Sequence, residues 1–357
     1  MEKDIINYNW QRSHTRELSL FTMEIASYGY VVLLEKILGI GYSHILNIFQ
    51  NGLEFSYRDK EDDFRLVELF FKVNQSKLLS AFEKESKRVL LDGDKMVNLL
   101  SSSDSFVVND TIKILPQIHE VYAGVAAVLG ITRPAGIFYE QEGDKRNGMV
   151  ERYGKIRFDQ AKLYDAIEQS LDIFFNHLSS LLKIKSDFLR YCTAGELTQL
   201  CMENLVVTVK EMAERKKISI LYYSKEQIKI WYGLEALELK LQIDKKDEAG
   251  LGTMLKGKIA HPGIVRGHVR VVLKKKDLEL IEKGDILITP MTQVYFMPYL
   301  SKVSAIVTDE GGITCHAAII ARELKIPCVI AAKNATKFFK AGDLIEVNAN
   351  IGIIKKI

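Results

Sequence analysis

The residues best suited to chemistry in this 357-residue chain surround one histidine, His316. In the run TDEGGITCHAAIIARELKIP it follows a paired glycine, Gly311 and Gly312, and then Thr314 and Cys315. Apolar residues after it recur at helical spacing, which predicts a helix that begins near the histidine. Thr314 is the predicted N-cap, because its hydroxyl can accept a bond from a free backbone N–H. The pattern therefore places a histidine where a glycine loop becomes a helix.

A histidine in this position can carry a phosphoryl group. Free N–H groups and the dipole at a helix start favour a nearby negative charge by about 0.3–1 kcal/mol. The same field makes a neutral imidazole harder to protonate, so it stays nucleophilic near neutral pH. Later in the helix, Arg322 could pair with phosphate oxygens, or with Glu323 and Asp309. A capping or surface role is the common alternative for a single histidine at a helix start.

A second candidate group lies near the N-terminus, in the run NYNWQRSHTRELSLFTMEIA. It gathers Trp10, Arg12 and Arg16 near one predicted amphipathic helix. Arginines beside an aromatic ring could clamp an anionic phosphoryl acceptor. A solvated helix face explains the same residues more simply, so both interpretations stand at this point.

The composition is that of a globular protein, with 47% hydrophobic and 27% charged residues and a net charge of +3. This charge is too small to indicate a nucleic-acid partner. The start has no apolar signal segment, and the stretch over residues 28–49 is interpreted as two buried helices instead of a membrane span. The cysteines lack metal-ligand spacing, which predicts a cytoplasmic protein without a metal site. They are Cys192, Cys201, Cys315 and Cys328.

The hydrophobic pattern predicts a multidomain protein with an α part and an α/β part. Residues 1–245 have mostly helical spacing, except that residues 135–158 predict a β-hairpin or a long mobile loop. Residues 246–257 form the predicted linker, and residues 258–357 a compact α/β domain. The β-rich runs of this domain cover 267–273, 285–291, 304–309, 327–332 and 343–357, and its helices lie near 293–303 and 315–324.

The run GGITCHAAIIARELKIP resembles the phosphohistidine signature of the phosphoenolpyruvate-utilising enzyme family, which includes phosphoenolpyruvate synthase and rifampin phosphotransferase. The runs GKIAHPGIVRGHVRVV and GDILITPMTQVYFMPYL resemble the strands and turns that precede this signature in the family. The resemblance implies that residues 258–357 fold as a phosphohistidine swivelling β/β/α domain and that His316 is phosphorylated. The matching loop and helix positions are Gly311, Gly312, Thr314, Cys315 and Arg322.

Three positions depart from the family pattern. His261 stands where a serine is usual, Lys325 where the helix commonly ends in glycine, and Asn348 where an aspartate is common. None of these changes removes the nucleophile.

The resemblance also implies a role in phosphoryl transfer. His316 would pass its phosphoryl group to a small-molecule acceptor, as a component of a phosphotransferase. No ATP-grasp domain or phosphoenolpyruvate-binding barrel is recognisable in the sequence, so a separate ATP-grasp protein that holds ATP and Mg²⁺ is the expected partner. Residues 1–245 then bind the acceptor or serve as a docking scaffold. The alternative from another class is a non-catalytic regulatory or interaction protein that keeps the swivelling-domain fold.

Overall fold

A computed structural model describes residues 2–102, 106–142, 148–204, 207–247 and 254–357. The chain divides into two compact units, which are described separately. Unit 1 comprises Met1–Gln11, Leu18–Pro134 and Asp159–Ile243, and unit 2 comprises Arg12–Glu17, Ala135–Phe158 and Asp244–Ile357. Half of the predicted linker over residues 246–257, namely residues 248–253, lies outside the described residues, whereas residues 246–247 end a helix and residues 254–256 form a strand. The domain limits expected from the sequence therefore remain a prediction.

A five-stranded sheet, in the order β1-β3-β2-β4-β5, occupies the N-terminal two thirds of the chain. Its strands are β1 (Trp10–Arg16), β2 (His44–Gln50), β3 (Leu53–Asp59), β4 (Ile218–Ser224) and β5 (Ile228–Tyr232). β2 pairs antiparallel with both β3 and β4. Ile48, Ile220 and Trp231 are buried in one hydrophobic cluster on this sheet. The sheet thus supplies part of the core of unit 1.

The helices of this region include two long ones, α6 and α7. In chain order the helices are α1 (Glu2–Asn7), α2 (Leu20–Tyr28), α3 (Leu34–Leu38), α4 (Lys60–Lys72), α5 (Gln75–Ser101), α6 (Val108–Glu142), α7 (Met149–Leu182), α8 (Ser186–Leu189), α9 (Ala194–Cys201), α10 (Val209–Lys217) and α11 (Gly233–Asp247). A π-helical turn, Gly29–Leu33, joins α2 to α3.

The prediction of a mainly helical region over residues 1–245 was therefore incomplete, because it missed this sheet. All residues of β2 except the last are buried. A strand that is covered on both faces loses the alternation of apolar and polar residues that identifies a strand in a sequence. Its apolar run is then easily taken for a segment of a buried helix.

Two predicted helices begin or end differently in the structure. The second of the two helices expected over residues 28–49 is wrong, because α3 ends before Gly39, which has a left-handed φ of 76°. The chain continues as β2. The single helix expected around Trp10, Arg12 and Arg16 is also wrong, since these residues form β1 and the helix starts only after the N-cap Ser19.

The hairpin or mobile loop expected over residues 135–158 is wrong as well. Helix α6 continues to Glu142, and α7 starts at Met149. Residues 143–147 lie outside the described part of the chain. Most of the Gly-, Asp- and Asn-rich letters that predicted a hairpin turn lie in that range, so this part of the prediction falls outside the described residues.

Unit 2 contains an eight-stranded sheet in the order β6-β13-β12-β8-β9-β10-β11-β7. Its strands are β6 (Met254–Lys256), β7 (Lys258–His261), β8 (Ile264–Val271), β9 (Ile286–Thr289), β10 (Ala305–Thr308), β11 (Cys328–Ile330), β12 (Leu344–Asn348) and β13 (Ile353–Lys356). Strands β8 to β11 run parallel to one another, and the outer pairs are antiparallel. Each predicted β-rich run contains or overlaps a strand, which confirms the α/β expectation.

Helices cover the sheet of unit 2, with 3₁₀ turns between them. The helices are α12 (Met297–Leu300), α13 (His316–Leu324) and α14 (Ala335–Phe338), and the turns are Lys275–Leu280 and Val294–Phe296. Leu287 and Ile306 pack in a cluster with α13, whereas Ile288 and Val307 belong to a second cluster. Neighbouring residues of the central strands thus point into two different cores, as expected for a parallel sheet that is covered on both faces.

Helix α6 is long and apolar enough to cross a bilayer over Val108–Tyr139, and its 18-residue window that meets this criterion has a mean hydropathy of 1.5. Most of that window, 78%, is buried inside the structure. The core helices of globular proteins have the same length and composition, so this observation is weak evidence for a span.

Candidate functional site

His316 lies in the first turn of α13, as the sequence predicted, and is the first residue of the helix. Its N-cap is Cys315, which has extended backbone angles and makes no side-chain capping bond. The prediction of Thr314 as the N-cap was therefore wrong by one residue. The Thr314 side chain is buried instead, and a Cβ atom on Gly136 would lie 2.7 Å from its Oγ1. Close packing against α6, and not capping, accounts for the position of Thr314.

The loop before α13 is held by its own backbone and by one arginine. Gly311 has a φ of 127°, and a Cβ there would lie 2.9 Å from the sulfur of Cys315, so a larger residue would be strained. The carbonyl of Gly312 accepts a hydrogen bond of 2.8 Å from the Cys315 amide. Arg322 donates from Nη2 to the carbonyl of Ile313 at 3.0 Å. These residues therefore fix the shape of the loop that precedes the histidine.

Arg322 makes no ion pair with Glu323 or Asp309, both of which lie in the described part of the chain. Its contact with the loop carbonyl differs from each of the partners considered from the sequence. The side chain therefore supports the loop while it remains largely exposed.

The two ring nitrogens of His316 have different surroundings. Nδ1 lies 2.8 Å from the hydroxyl oxygen of Thr292, in the turn after β9. Nε2 is buried and has no hydrogen-bond partner among the described residues. The ring of Phe158 lies nearly parallel to the imidazole, at an angle of 5° and a centroid distance of 6.1 Å. One nitrogen is thus oriented by a neighbour, and the other keeps its bonding capacity.

Burial keeps this histidine neutral. His316 is only 8% exposed, and this burial is the main cause that lowers its pKa to about 4. The guanidinium groups of Arg157 and Arg16 lower the pKa further, because a cation disfavours a protonated ring nearby. Arg16, Arg157 and Phe158 all belong to unit 2. Near neutral pH the imidazole is therefore an uncharged nucleophile close to two positive charges.

The four cysteines are free and buried. Burial raises the pKa of the Cys315 thiol, which stays protonated beside the histidine. In the residues that the structure describes, no group of three His, Cys, Asp or Glu side chains is placed to hold a metal ion.

Trp10, one of the three candidate acceptor-site residues, lies in unit 1. Its indole nitrogen donates to the carbonyl of Ile5 at 2.7 Å. Its ring packs edge-on against Tyr8 and His44, with centroids 5.5 and 5.1 Å away. The tryptophan therefore has a packing role within its own unit.

Arg12 and Arg16, the other two candidates, belong to unit 2 and contact the segments around the histidine loop. Nε of Arg12 lies 2.7 Å from Glu310 Oε1, and its Nη2 lies 3.5 Å from Asp309 Oδ2. Nε of Arg16 donates to the sulfur of Met291 at 3.4 Å. The two arginines thus contact the loop before α13 and the turn after β9. Trp10 contacts other residues, all of them in unit 1.

Four residues near the histidine were not identified from the sequence. Thr292 lies in a run that resembles the family, but its threonine was not singled out. Arg157 and Phe158 fall in the segment that was predicted as a hairpin, and Glu310 had no signal beyond its place in the loop. A single sequence contains no pattern that pairs residues so far apart along the chain.

Residues 281–352 match the family described as "PEP-utilising enzyme, mobile domain". The probable phosphoenolpyruvate synthase of Archaeoglobus fulgidus is 46% identical over 108 residues, which is 30% of this chain and 14% of the relative. The phosphoenolpyruvate synthase of Pyrococcus furiosus is 46% identical over 103 residues, 29% of this chain and 13% of the relative. The chain therefore matches about one seventh of the length of these curated relatives.

Among solved structures, an NMR structure of Enzyme I covers 80% of this chain with 12% identity and a TM-score of 0.22, a level that supports no structural argument. The residues matched by the family model, by contrast, include the turn after β9, the glycine loop and all of α13. The match therefore contains His316 and the loop that precedes it. Over residues 281–352, this chain is thus similar to the mobile domain of phosphoenolpyruvate-utilising enzymes.

Proposed function

We propose that this chain is the phosphohistidine-carrying component of a phosphotransferase, in which Nε2 of His316 accepts a phosphoryl group and passes it to a small-molecule acceptor. One observation carries the proposal. Thr292 engages Nδ1 at 2.8 Å, while Nε2 has no hydrogen-bond partner among the described residues. The similarity of residues 281–352 to the mobile-domain family supports the same role.

The proposed chemistry needs the neutral ring with its proton on Nδ1. That N–H donates to the hydroxyl oxygen of Thr292, which leaves the lone pair of Nε2 for attack on phosphorus. The phosphorus–Nε2 bond forms as the bond to the donor breaks, and the donor's leaving group takes the bonding electrons. Attack by the acceptor then breaks the phosphorus–Nε2 bond and returns the neutral histidine.

The start of α13 supports the charge that this step creates. Its first-turn N–H groups have no partner within the helix, and they lie at the positive end of the helix dipole. The phosphoryl group on Nε2 is an anion next to that end. Gly311, with a φ of 127°, permits the backbone turn of the loop that leads into this helix start.

The donor of the phosphoryl group is proposed to be a separate ATP-grasp protein that holds ATP and Mg²⁺. The two relatives named as phosphoenolpyruvate synthases are matched over about one seventh of their length, so their substrates and partners enter here as proposals only. Because donor and acceptor need in-line geometry at about 3–3.5 Å, one histidine serves both by moving between them. The predicted linker over residues 246–257 would allow that movement in a cytoplasmic enzyme.

A chemical donor tests the nucleophile without the partner protein. In potassium phosphoramidate the phosphorus–nitrogen bond breaks, ammonia leaves, and a phosphoryl group joins the histidine nitrogen. We expect one acid-labile, base-stable group on the full chain, with the ³¹P NMR signal of the Nε2 isomer. His316→Ala should abolish it, and His268→Ala, at an exposed position, should not.

Either of two results would contradict this proposal. Full labelling of the His316→Ala variant would place the reactive histidine elsewhere. A signal of the Nδ1 isomer in the unchanged chain would show that the ring nitrogen held by Thr292 is the nucleophile.

A further inference from the structure

The chemistry proposed for His316 places a dianion in a buried site. The residue is 8% exposed, and its Nε2 is enclosed. A buried charge is costly unless opposite charges and hydrogen bonds replace the lost water. Residues that supply such charges should therefore lie within unit 2, beside the imidazole.

Two segments outside residues 281–352 form part of the surroundings of His316, and both belong to unit 2. The segment 135–158 supplies Phe158, whose ring lies nearly parallel to the imidazole. It also supplies Gly136, whose close approach to Thr314 leaves no space for a side chain. The second segment, residues 12–17, contacts Met291 in the turn after β9 and Asp309 and Glu310 in the loop before α13.

Each of these segments brings one half-buried arginine to the site. Arg16 is placed by its contact with the sulfur of Met291, the residue before Thr292, which binds Nδ1. Arg157 directly precedes Phe158, which packs on the ring. A guanidinium has five N–H donors in a planar fork that fits two phosphate oxygens at once.

The carboxylates of the same region already have cationic or hydroxyl partners. Glu310 Oε1 is 2.7 Å from Arg12 Nε and accepts a bond of 3.1 Å from the hydroxyl of Thr15. Asp309 accepts bonds from the backbone amide and the hydroxyl of Thr336 at 3.0 and 2.5 Å. Arg12 thus offsets the acidic pair, and the guanidinium groups of Arg157 and Arg16 are near enough to His316 to lower its pKa.

We propose that Arg16 and Arg157 bind the tetrahedral phosphoryl oxyanion at Nε2 of His316, so that segments 12–17 and 135–158 complete a phosphate site outside the matched mobile domain. The inference rests on the proposed function for its covalent form. The same two arginines would also bind free inorganic phosphate. The experiment below distinguishes free phosphate from the phosphoryl group on His316. Both arginines are positioned to neutralise the dianion while it is buried, and neither forms a bond to phosphorus.

The first arm of the test measures free phosphate on the full chain. ¹⁵N-histidine NMR follows His316 during titration with inorganic phosphate. Arg16→Gln and Arg157→Gln should each weaken binding about tenfold or more, as expected for losing a hydrogen bond to a charged group. Lysine at either position keeps the charge and should recover part of the affinity. Arg152→Gln, on an exposed part of α7, is the matched control and should bind as the unchanged chain does.

The second arm measures the covalent form after labelling with phosphoramidate. Both glutamine variants should be labelled at His316, but their ³¹P shift should differ from that of the unchanged chain and of the Arg152→Gln variant. Unchanged phosphate affinity and an unchanged ³¹P shift in both folded glutamine variants would overturn the inference and leave the proposed function intact. Loss of phosphate affinity with an unchanged ³¹P shift would overturn the covalent form and retain a free-phosphate site. Absence of any label at His316 in the unchanged chain would instead refute the proposed function, and the titration would still decide the role of the arginines.

Discussion

The hydroxyl oxygen of Thr292 lies 2.8 Å from Nδ1 of His316, and it connects the turn after β9 to the first turn of α13. The bond engages the Nδ1 edge of the imidazole and leaves the Nε2 edge for the proposed phosphoryl transfer. Both residues are buried, Thr292 at 3% exposure and His316 at 8%, so water does not substitute easily for either partner. The threonine is thus a positioning residue for the proposed nucleophile.

Replacement of Thr292 should slow phosphorylation of His316. Thr292→Val keeps the shape but leaves Nδ1 without its partner, at a cost of about 1–3 kcal/mol for a buried unpaired group. We expect labelling by phosphoramidate to slow about tenfold or more, and ¹⁵N NMR to show a mixed tautomer population. Thr292→Ser restores the hydroxyl and should recover both readouts. Equal rates in the valine and serine variants would contradict a positioning role.

The protonation of His316 should occur far below neutral pH. Burial, with Arg157 and Arg16, lowers its pKa to about 4 from an ordinary value of 6.5. The unfolded chain therefore binds the proton first as pH falls, and the stability that depends on the neutral ring is lost between about pH 6.5 and pH 4. An NMR titration of the His316 ring should show the neutral form at pH 5.5. A midpoint near 6.5 would show that the ring is more accessible than the structure indicates.

Glu24 should make unit 1 less stable as pH rises. Burial is the largest cause that raises its pKa to about 7, and repulsion from Glu196 adds to it, whereas the hydrogen bond from the Ala194 amide acts in the opposite direction. The folded state therefore holds a proton that the unfolded state loses near pH 4.5, and the associated stability is lost as pH rises to about 7 and above.

The magnitude of this effect is at most about 3 kcal/mol, from about 1.4 kcal/mol for each pKa unit. Urea denaturation of the unchanged chain and of Glu24→Gln between pH 5 and pH 8 measures it. The glutamine variant should have the flatter pH dependence and the larger gain at pH 8. Parallel curves for the two proteins would show that Glu24 is ionised in the folded state.

Two helical glycines of unit 2 should respond differently to alanine. A Cβ on Gly136 would lie 2.7 Å from Thr314 Oγ1, whereas a Cβ on Gly154 would meet only the end of the Ile319 side chain, at 3.4 Å. Gly136→Ala should destabilise the chain by about 1–3 kcal/mol, as expected for overpacking. Gly154→Ala should be neutral or stabilising, because alanine favours a helix by about 1 kcal/mol over glycine. Thermal unfolding of both variants checks the contrast, and equal effects would contradict the close packing at Thr314.

The sequence predicted the helix start at His316 because the signal is local. The glycine loop, His316 and the helix after it lie within a dozen residues, so their spacing alone indicates the arrangement. The end of the helix also follows the local pattern. Lys325 stands where the family pattern has glycine, and it adopts a left-handed φ of 56° at the C-cap of α13, a conformation that favours glycine.

The surroundings of the histidine could not be predicted in the same way. Arg16, Arg157 and Phe158 come from distant segments, and only tertiary folding brings them to the imidazole of His316. The N-terminal sheet was missed for a different reason. Buried strands such as β2 lack the alternation that a single sequence needs to reveal a strand.

Strands β6 and β7 are separated by Gly257 alone, yet they pair at opposite ends of the order of the eight-stranded sheet, with β13 and with β11. Residues 254–261 thus cover both of the strands that would otherwise present open backbone groups, and the Gly257 amide adds a 2.8 Å bond to the carbonyl of Gly352. Uncovered strands recruit other chains through those groups. A recombinant fragment cut to the family bounds at residue 281 would lose β8 as well as β6 and β7, so β9, β11, β12 and β13 would each have an unpaired edge, and the fragment should aggregate during expression. A fragment that begins at residue 254 keeps these four strands paired and should remain dispersed.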